Sequence, residues 1–370
     1  MRAVKPVLFV TNYAPPARVG AFRALAEREN VEFALFGGRV HHGGVGSDPW
    51  GSGAKGPDPG GSDPFRSRRI GQRDAYGLAA SGDYRAVVAG TVGRTALLAA
   101  YLGARRARVP FVLWATLWAQ PAGPAGVLGY PALRWIYAHA DAVATYGPHV
   151  SAYVSARGAS RIHDAPQAVD ADFWSAANSG EEDRRAPFQI LFAGRLLREK
   201  GVRVLLSAWR MTGLQAPAAA LILVGGGPEA SRASPAGAFL AGEAGPAEVR
   251  NFYAGSDVVV VPSIRTRTFR EPWGMVVNEA MHEGLPVIAT DAVGAVAGGL
   301  LRDGRNGLVV PAGDDRALAA AIRRLHDDPS ERARLGEAAR ADVGRYTHAA
   351  WAEAMSRALA DATGARAGEG

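Results

Sequence analysis

The sequence predicts an α/β chain of two parallel-sheet domains. Three observations carry this prediction. Short β-branched and apolar runs alternate with helix-period segments, the pattern of strands whose sheets are covered by helices. The runs fall into two sets of five, and 370 residues suffice for two domains that each bury a core. Between the sets, SAANSGEEDRRAP (175–187) is polar and ends in a proline just before a new strand.

The first set is VLFV (7–10), VEFALF (31–36), AVVAG (86–90), FVLWA (111–115) and AVAT (142–145). The second is QILFAG (189–194), ALILVGGG (220–227), VVVVP (258–262), PVIAT (286–290) and GLVVP (307–311). The domains are therefore expected at 1–175 and 176–345. The remaining 346–370 carries the helical stripe Trp351, Met355, Leu359, which should pack on a domain surface and could cross back to the first domain. Within the first domain, residues 41–64 are rich in Gly, Pro, Ser and Asp and read as a long flexible loop, either a disordered insertion or a lid over an acceptor. His41 and His42 lie in it without a third metal ligand and read as loop residues.

Composition removes several function classes. The chain has no cysteine, so disulfides, thiol nucleophiles and thiolate metal sites are absent, in keeping with a reducing compartment. No apolar run reaches the ~18 residues of a membrane span, and MRAVKPVLFVTNY has too short an apolar core for a signal peptide. A cytoplasmic protein is expected, with peripheral membrane association left open. The formal net charge of +7 is dispersed in short clusters rather than gathered with stacking aromatics, which argues against nucleic acid. Of 42 basic residues only Lys5, Lys55 and Lys200 are lysine, so Lys200 stands out as a chosen point charge.

In ILFAGRLLREKGVRVLLSAWR (190–210) a strand ends at Gly194, and Val202, Leu205, Leu206 and Trp209 then mark a helix. Arg195 and Lys200 thus sit at the carboxyl end of a parallel strand, where such sheets place ligands, and the two cations suit a diphosphate. In EPWGMVVNEAMHEGLPVIATDAVG (271–294), Pro272 is placed to open a helix that Gly284 and Pro286 stop. Glu271 then precedes the helix, residues 273–275 form its first turn, and free amides there make an anion site that Gly274 leaves open. Glu279 lies one to two turns further in, at a distance suited to accepting hydrogen bonds from a ribose diol. Glu283 reads as a solvated face. Phosphate, ribose and a second polyol near Glu271 together describe a nucleotide sugar.

These motifs resemble the retaining glycosyltransferases of family 4 (glycosyl transferase group 1), which have the GT-B fold. GRLLREKG (194–201), LVGGGPE (223–229), YAGSDVVVVPS (253–263) and the paired-glutamate segment 271–294 carry the resemblance. NYAPPARVGAFRALAER (12–28) and QAVDADFW (167–174) match more loosely. The resemblance implies two Rossmann-like domains facing across a cleft, the first for the acceptor and the second for the donor. It implies that Arg195 and Lys200 bind the diphosphate and Glu279 the ribose. Glu271 would contact the donor sugar, with the amides of Gly274, Met275 and Val276 serving sugar hydroxyls and the distal phosphate. Transfer to a hydroxyl acceptor would retain configuration by front-face attack, without a divalent metal or other cofactor. Relatives carry a glycine pair in the first loop and a histidine after the fourth strand; here those regions read PPARVGAF (15–22) and VLWATLWAQPAG (112–123). Arg18, Trp114, Thr116 and Trp118 are the candidates for the acceptor side. Dispersed charge leans toward a small soluble acceptor over a glycan or lipid carrier.

Two other enzymes compete. A sugar-nucleotide epimerase shares the fold. An NAD(P)-dependent oxidoreductase would use Gly225, Gly227 and Ala230 as GxGxxA, but needs a strand ending in an acid ~20 residues on, and GPAEVR (245–250) is no strand end. A basic binding protein without catalysis is disfavoured by the dispersed charge.

Overall fold

The computed structural model describes residues 4–37, 65–120, 123–176 and 183–367. The expected loop 41–64 lies outside them. The described residues form two compact units, one running to Val169 and resuming at Tyr346, the other spanning Asp170–Arg345.

The first unit is a seven-stranded parallel sheet, ordered β3-β2-β1-β4-β5-β6-β7. Its strands are β1 (Val7–Thr11), β2 (Val31–Leu35), β3 (Ser67–Arg69), β4 (Ala86–Gly90), β5 (Phe111–Ala115), β6 (Ala142–Thr145) and β7 (Ile162–Asp164). Helices α1 (Pro16–Glu29), α2 (Asp74–Ala80), α3 (Arg94–Ala107), α4 (Pro124–His139) and α5 (Pro148–Ser155) connect them. The second unit adds α6 (Ala171–Ser175) and a six-stranded parallel sheet ordered β10-β9-β8-β11-β12-β13. Those strands are β8 (Phe188–Ala193), β9 (Ala219–Val224), β10 (Phe239–Gly242), β11 (Val258–Val261), β12 (Val287–Thr290) and β13 (Gly307–Val310). Its further helices are α7 (Val202–Thr212), α8 (Pro246–Ala254), α9 (Val276–His282), α10 (Gly294–Ala297), α11 (Asp315–Asp327) and α12 (Pro329–Val343). Both units are Rossmann-like, with strand order reversing between β1 and β4 and again between β8 and β11.

All ten expected strands form. The three that the sequence did not announce, β3, β7 and β10, are short edge strands of three or four residues. Their residues are largely exposed or half-buried, so they lack the apolar run that marks a central strand.

The last helix, α13 (His348–Ala367), belongs to the first unit. Trp351, Met355 and Leu359 are buried, and the Trp351 ring meets Phe22 at 5.9 Å and Trp114 at 5.7 Å. Gly20 lets α1 come this close, since a Cβ there would lie 2.3 Å from His348 Nδ1.

Candidate functional site

Ligands of open α/β sheets bind beyond the strand carboxyl ends where strand order reverses. In the second unit that place lies between β8 and β11. After β8 the chain runs through Gly194 and Arg195 into a 3-10 turn, Arg198–Lys200. After β11 it runs through Ser263 to Glu271. The structure joins these loops: Lys200 Nζ donates to Glu271 Oε2 at 2.5 Å, and Ser263 Oγ donates to the same oxygen at 3.0 Å. Glu271 is 6% exposed, so its charge is met by an ammonium and a hydroxyl rather than by bulk water. Gly201 makes the approach possible; at φ 74° its absent Cβ would sit 1.8 Å from Pro262 O. Arg195 is half-buried on the same loop.

The helix after Glu271 starts later than its proline suggests. Gly274 has φ 90°, a left-handed conformation that cannot belong to a right-handed helix, and α9 begins at Val276. Tertiary contacts hold the preceding residues extended instead. Glu271 bridges to Val293, Trp273 O accepts from the Ala295 amide at 2.7 Å, and the Trp273 indole donates to Asn278 at 2.7 Å. Gly294 admits this packing, because its Cβ would lie 2.0 Å from Pro272 O. Gly274, Met275 and Val276 are half-exposed. Among the described residues no backbone carbonyl takes up their amides.

Glu279 consequently stands in the first turn of α9 rather than deeper in it, 3% exposed, accepting from the Tyr253 hydroxyl at 2.8 Å. Burial pushes its pKa up to about 7, against the opposing effect of the tyrosine hydrogen bond. Tyr253, fully buried beside this carboxylate, is pushed well above its ordinary 10. Glu283 is not the solvated residue its helical position suggested. It is half-buried near Arg250 (3.7 Å), and burial raises it to about 7 against the pull of Arg250 and Arg340.

The glycine turn after β9 packs on the β8 loop. Leu196 N donates to Gly226 O at 2.8 Å, and a Cβ on Gly225 would lie 2.0 Å from Gly194 O. The turn leads into two 3-10 turns, Ala230–Arg232 and Ser234–Ala236, and then into β10, which Glu243 follows directly. The acid that the oxidoreductase pattern requires is therefore present, 18 positions after Gly225, contrary to the sequence argument. What is missing is a helix after the glycine turn, whose amino end would carry a pyrophosphate. Glu243 Oε1 also lies 2.5 Å from where a Gly226 Cβ would be, against the turn itself.

The four remaining candidates lie in the first unit. Arg18 follows β1, the strand beside that sheet's reversal point. Its guanidinium stacks 4.9 Å over the Trp114 ring, bonds Gln167 at 3.1 Å and donates to the Tyr146 hydroxyl. Trp114 is 2% exposed, packed among Phe9, Phe22, Tyr146 and Trp351, and so supports Arg18 from within the core. Thr116 is buried and shares a 2.8 Å hydrogen bond with Thr91. Trp118 is half-buried, its ring edge-on to His149 at 4.9 Å. Sequence reasoning gave no role to Tyr253, Ser263, Tyr146 or Gln167. The only signal for them was their place in or next to the quoted motifs.

A buried carboxylate beside half-exposed amides and cations at a strand-order reversal narrows the field of comparison. Residues 178–342 match the family model described as Glycosyl transferases group 1. This match covers the second unit. A D-inositol 3-phosphate glycosyltransferase of Thermomonospora curvata is 34% identical over 205 residues, covering 49% of this chain and 44% of that one. The lipopolysaccharide core biosynthesis glycosyltransferase LpsE of Rhizobium meliloti is 36% identical over 114 residues, covering 30% and 32%. The chain thus spans less than half the length of these curated relatives. Anabaena HepE, solved in complex with UDP-glucose, is 18% identical with a TM-score of 0.72, covering 96% of this chain and 99% of HepE. Sucrose-phosphate synthase from Thermosynechococcus elongatus gives 0.71 at 20% identity, covering 95% and 97%. The fold of these two structures is the fold of this chain.

Proposed function

We propose that the protein is a retaining glycosyltransferase of family 4 that moves a sugar from a nucleoside-diphosphate donor to a hydroxyl acceptor. The observation that carries this reading is the Lys200–Glu271 contact at the β8/β11 reversal, with Glu279 buried in the first turn of α9. Arg195 and Lys200 neutralise the departing diphosphate, the electrostatic work a divalent ion would otherwise do. The amides of Gly274, Met275 and Val276 meet the distal phosphate and sugar hydroxyls, and Glu279 accepts from the ribose. Glu271 Oε2 already takes two hydrogen bonds, which suits a carboxylate that positions the sugar rather than attacks it. Transfer then proceeds by front-face attack, the leaving phosphate oxygen helping to take the acceptor proton. Arg18, supported by Trp114, and the Thr116–Trp118 segment are assigned to the acceptor side. The site acts in the cytoplasm; among the described residues no helix is long and apolar enough to cross a membrane.

The HepE complex makes a UDP-sugar the first donor to try. A thermal-shift screen across UDP, GDP, ADP and dTDP tests the reading, because a ligand that binds only the folded state raises its melting point. One nucleotide is expected to stand out. Stabilisation by NAD(P)H with no response to any nucleoside diphosphate would overturn it in favour of the oxidoreductase.

A further inference from the structure

The first unit holds a cavity of about 540 Å³ between α3 and α4 that the donor chemistry does not use. It reaches the carboxyl ends of β4 and β5 at Thr91 and Leu117, the edge of the sheet where ligands bind. Its size falls in the range of ligand sites, ~300–1,000 Å³. Leu98, Leu102, Leu117, Leu133 and Ile136 form its apolar walls, and no acidic residue lines it. Gly126, Gly129 and Ala132, spaced by three along α4, bring small or absent side chains to it, which leaves the space open.

We propose that this cavity takes the hydrocarbon chain of the acceptor, an amphiphilic lipid with a phosphate-bearing head, and that the outer face of α4 rests on the bilayer presenting it. The proposal rests on the glycosyl-transfer reading and names its acceptor class, which differs from the soluble one that dispersed charge suggests. Leu98 and Leu102 are both wall and surface, 39% and 48% exposed. On α4, Val127, Leu128 and Trp135 are exposed, Leu128 at 82%. Leu128, Pro131 and Trp135 share one helical face, and Arg134 stands beside the tryptophan. An exposed apolar face with tryptophan and arginine suits the headgroup boundary of a membrane.

Charge points the same way. From Tyr84 to Ala140 the chain has six arginines and no acidic residue, although it holds 35 acids in all. Exposed Arg106 continues the Leu98–Leu102 stripe one turn on along α3. Such a face attracts anionic lipid. A second copy docked face to face would instead set these arginines against their own images. A small polar metabolite would lose its hydration to apolar walls without compensation.

The test uses the full chain and a series of inorganic, butyl, octyl and dodecyl phosphate, each below its micelle threshold, followed by calorimetry. Affinity is expected to rise about fourfold per added methylene until the cavity is full. Leu102→Gln, at a half-exposed position, should flatten the series while UDP affinity stays as in the parent. Gly129→Leu fills the cavity without a polar group and should do the same. Leu128→Ser with Trp135→Ser should lower flotation with phosphatidylglycerol vesicles. A flat series in the parent, an equal slope in both cavity variants, or a dimer that Leu102→Gln dissociates overturns the proposal. Chain-length dependence without any nucleotide response would keep the site and sink glycosyl transfer; the reverse would do the opposite.

Discussion

Glu279 shows how one residue couples pH to both stability and binding. Burial holds its proton to about pH 7, whereas the unfolded chain releases it near 4.5. The native state therefore binds more protons between these values, so its stability is fullest below about 4.5 and declines as pH rises through 7. Glu283, also raised to about 7, adds to the same decline. Glu279→Gln should remove Glu279's part of it, measured as urea midpoints against pH. Ribose hydroxyls donate best to an ionised carboxylate, so affinity for a nucleoside diphosphate should rise from about pH 6 to about pH 8. In Glu279→Gln only the ligand's own ionisation should remain. Glu279→Ala should weaken binding by about 1–3 kcal/mol, the loss expected when hydrogen bonds to a charged acceptor vanish. Unchanged calorimetric affinity would remove Glu279 from the ribose. Lys200→Ala takes away a charge that matters most as the bond breaks, so kcat should fall about a hundred- to a thousandfold with a smaller change in KM.

At the scale of elements, the site depends on loops pressed together by glycines. Gly201→Ala would need a Cβ 1.8 Å from Pro262 O at φ 74°. The β8 and β11 loops would have to part, and we expect a loss of about 3 kcal/mol in chemical denaturation. Nucleotide affinity should drop in the same variant, since Lys200 is the next residue. The start of α9 carries a related lesson. Pro272 is a fair signal for a first helical turn, and the sequence has no way to show that Gly294 will receive it instead. Local propensity lost to a bridge and two hydrogen bonds from residues about twenty positions on. Central strands were legible because they are apolar throughout, and edge strands were hidden because they are not.

On the scale of the whole molecule, two units with separate cores should respond to separate ligands. In scanning calorimetry a nucleoside diphosphate should raise the transition of the unit holding Glu279. Dodecyl phosphate should raise that of the unit holding Leu102. A single transition shifted equally by both would show that the units unfold as one. The sequence by itself determined the two-sheet plan, the ten central strands and the motif residues, because apolar runs, glycine turns and an isolated lysine are local properties. Tertiary structure alone decided that Lys200 and Glu271, 71 positions apart, share a hydrogen bond, and that Glu279 holds its proton to about pH 7. It alone showed that Trp114 is core and that two helices leave a cavity between them. These are matters of distance and burial, and both arise only when strand order brings remote loops to one edge of a sheet.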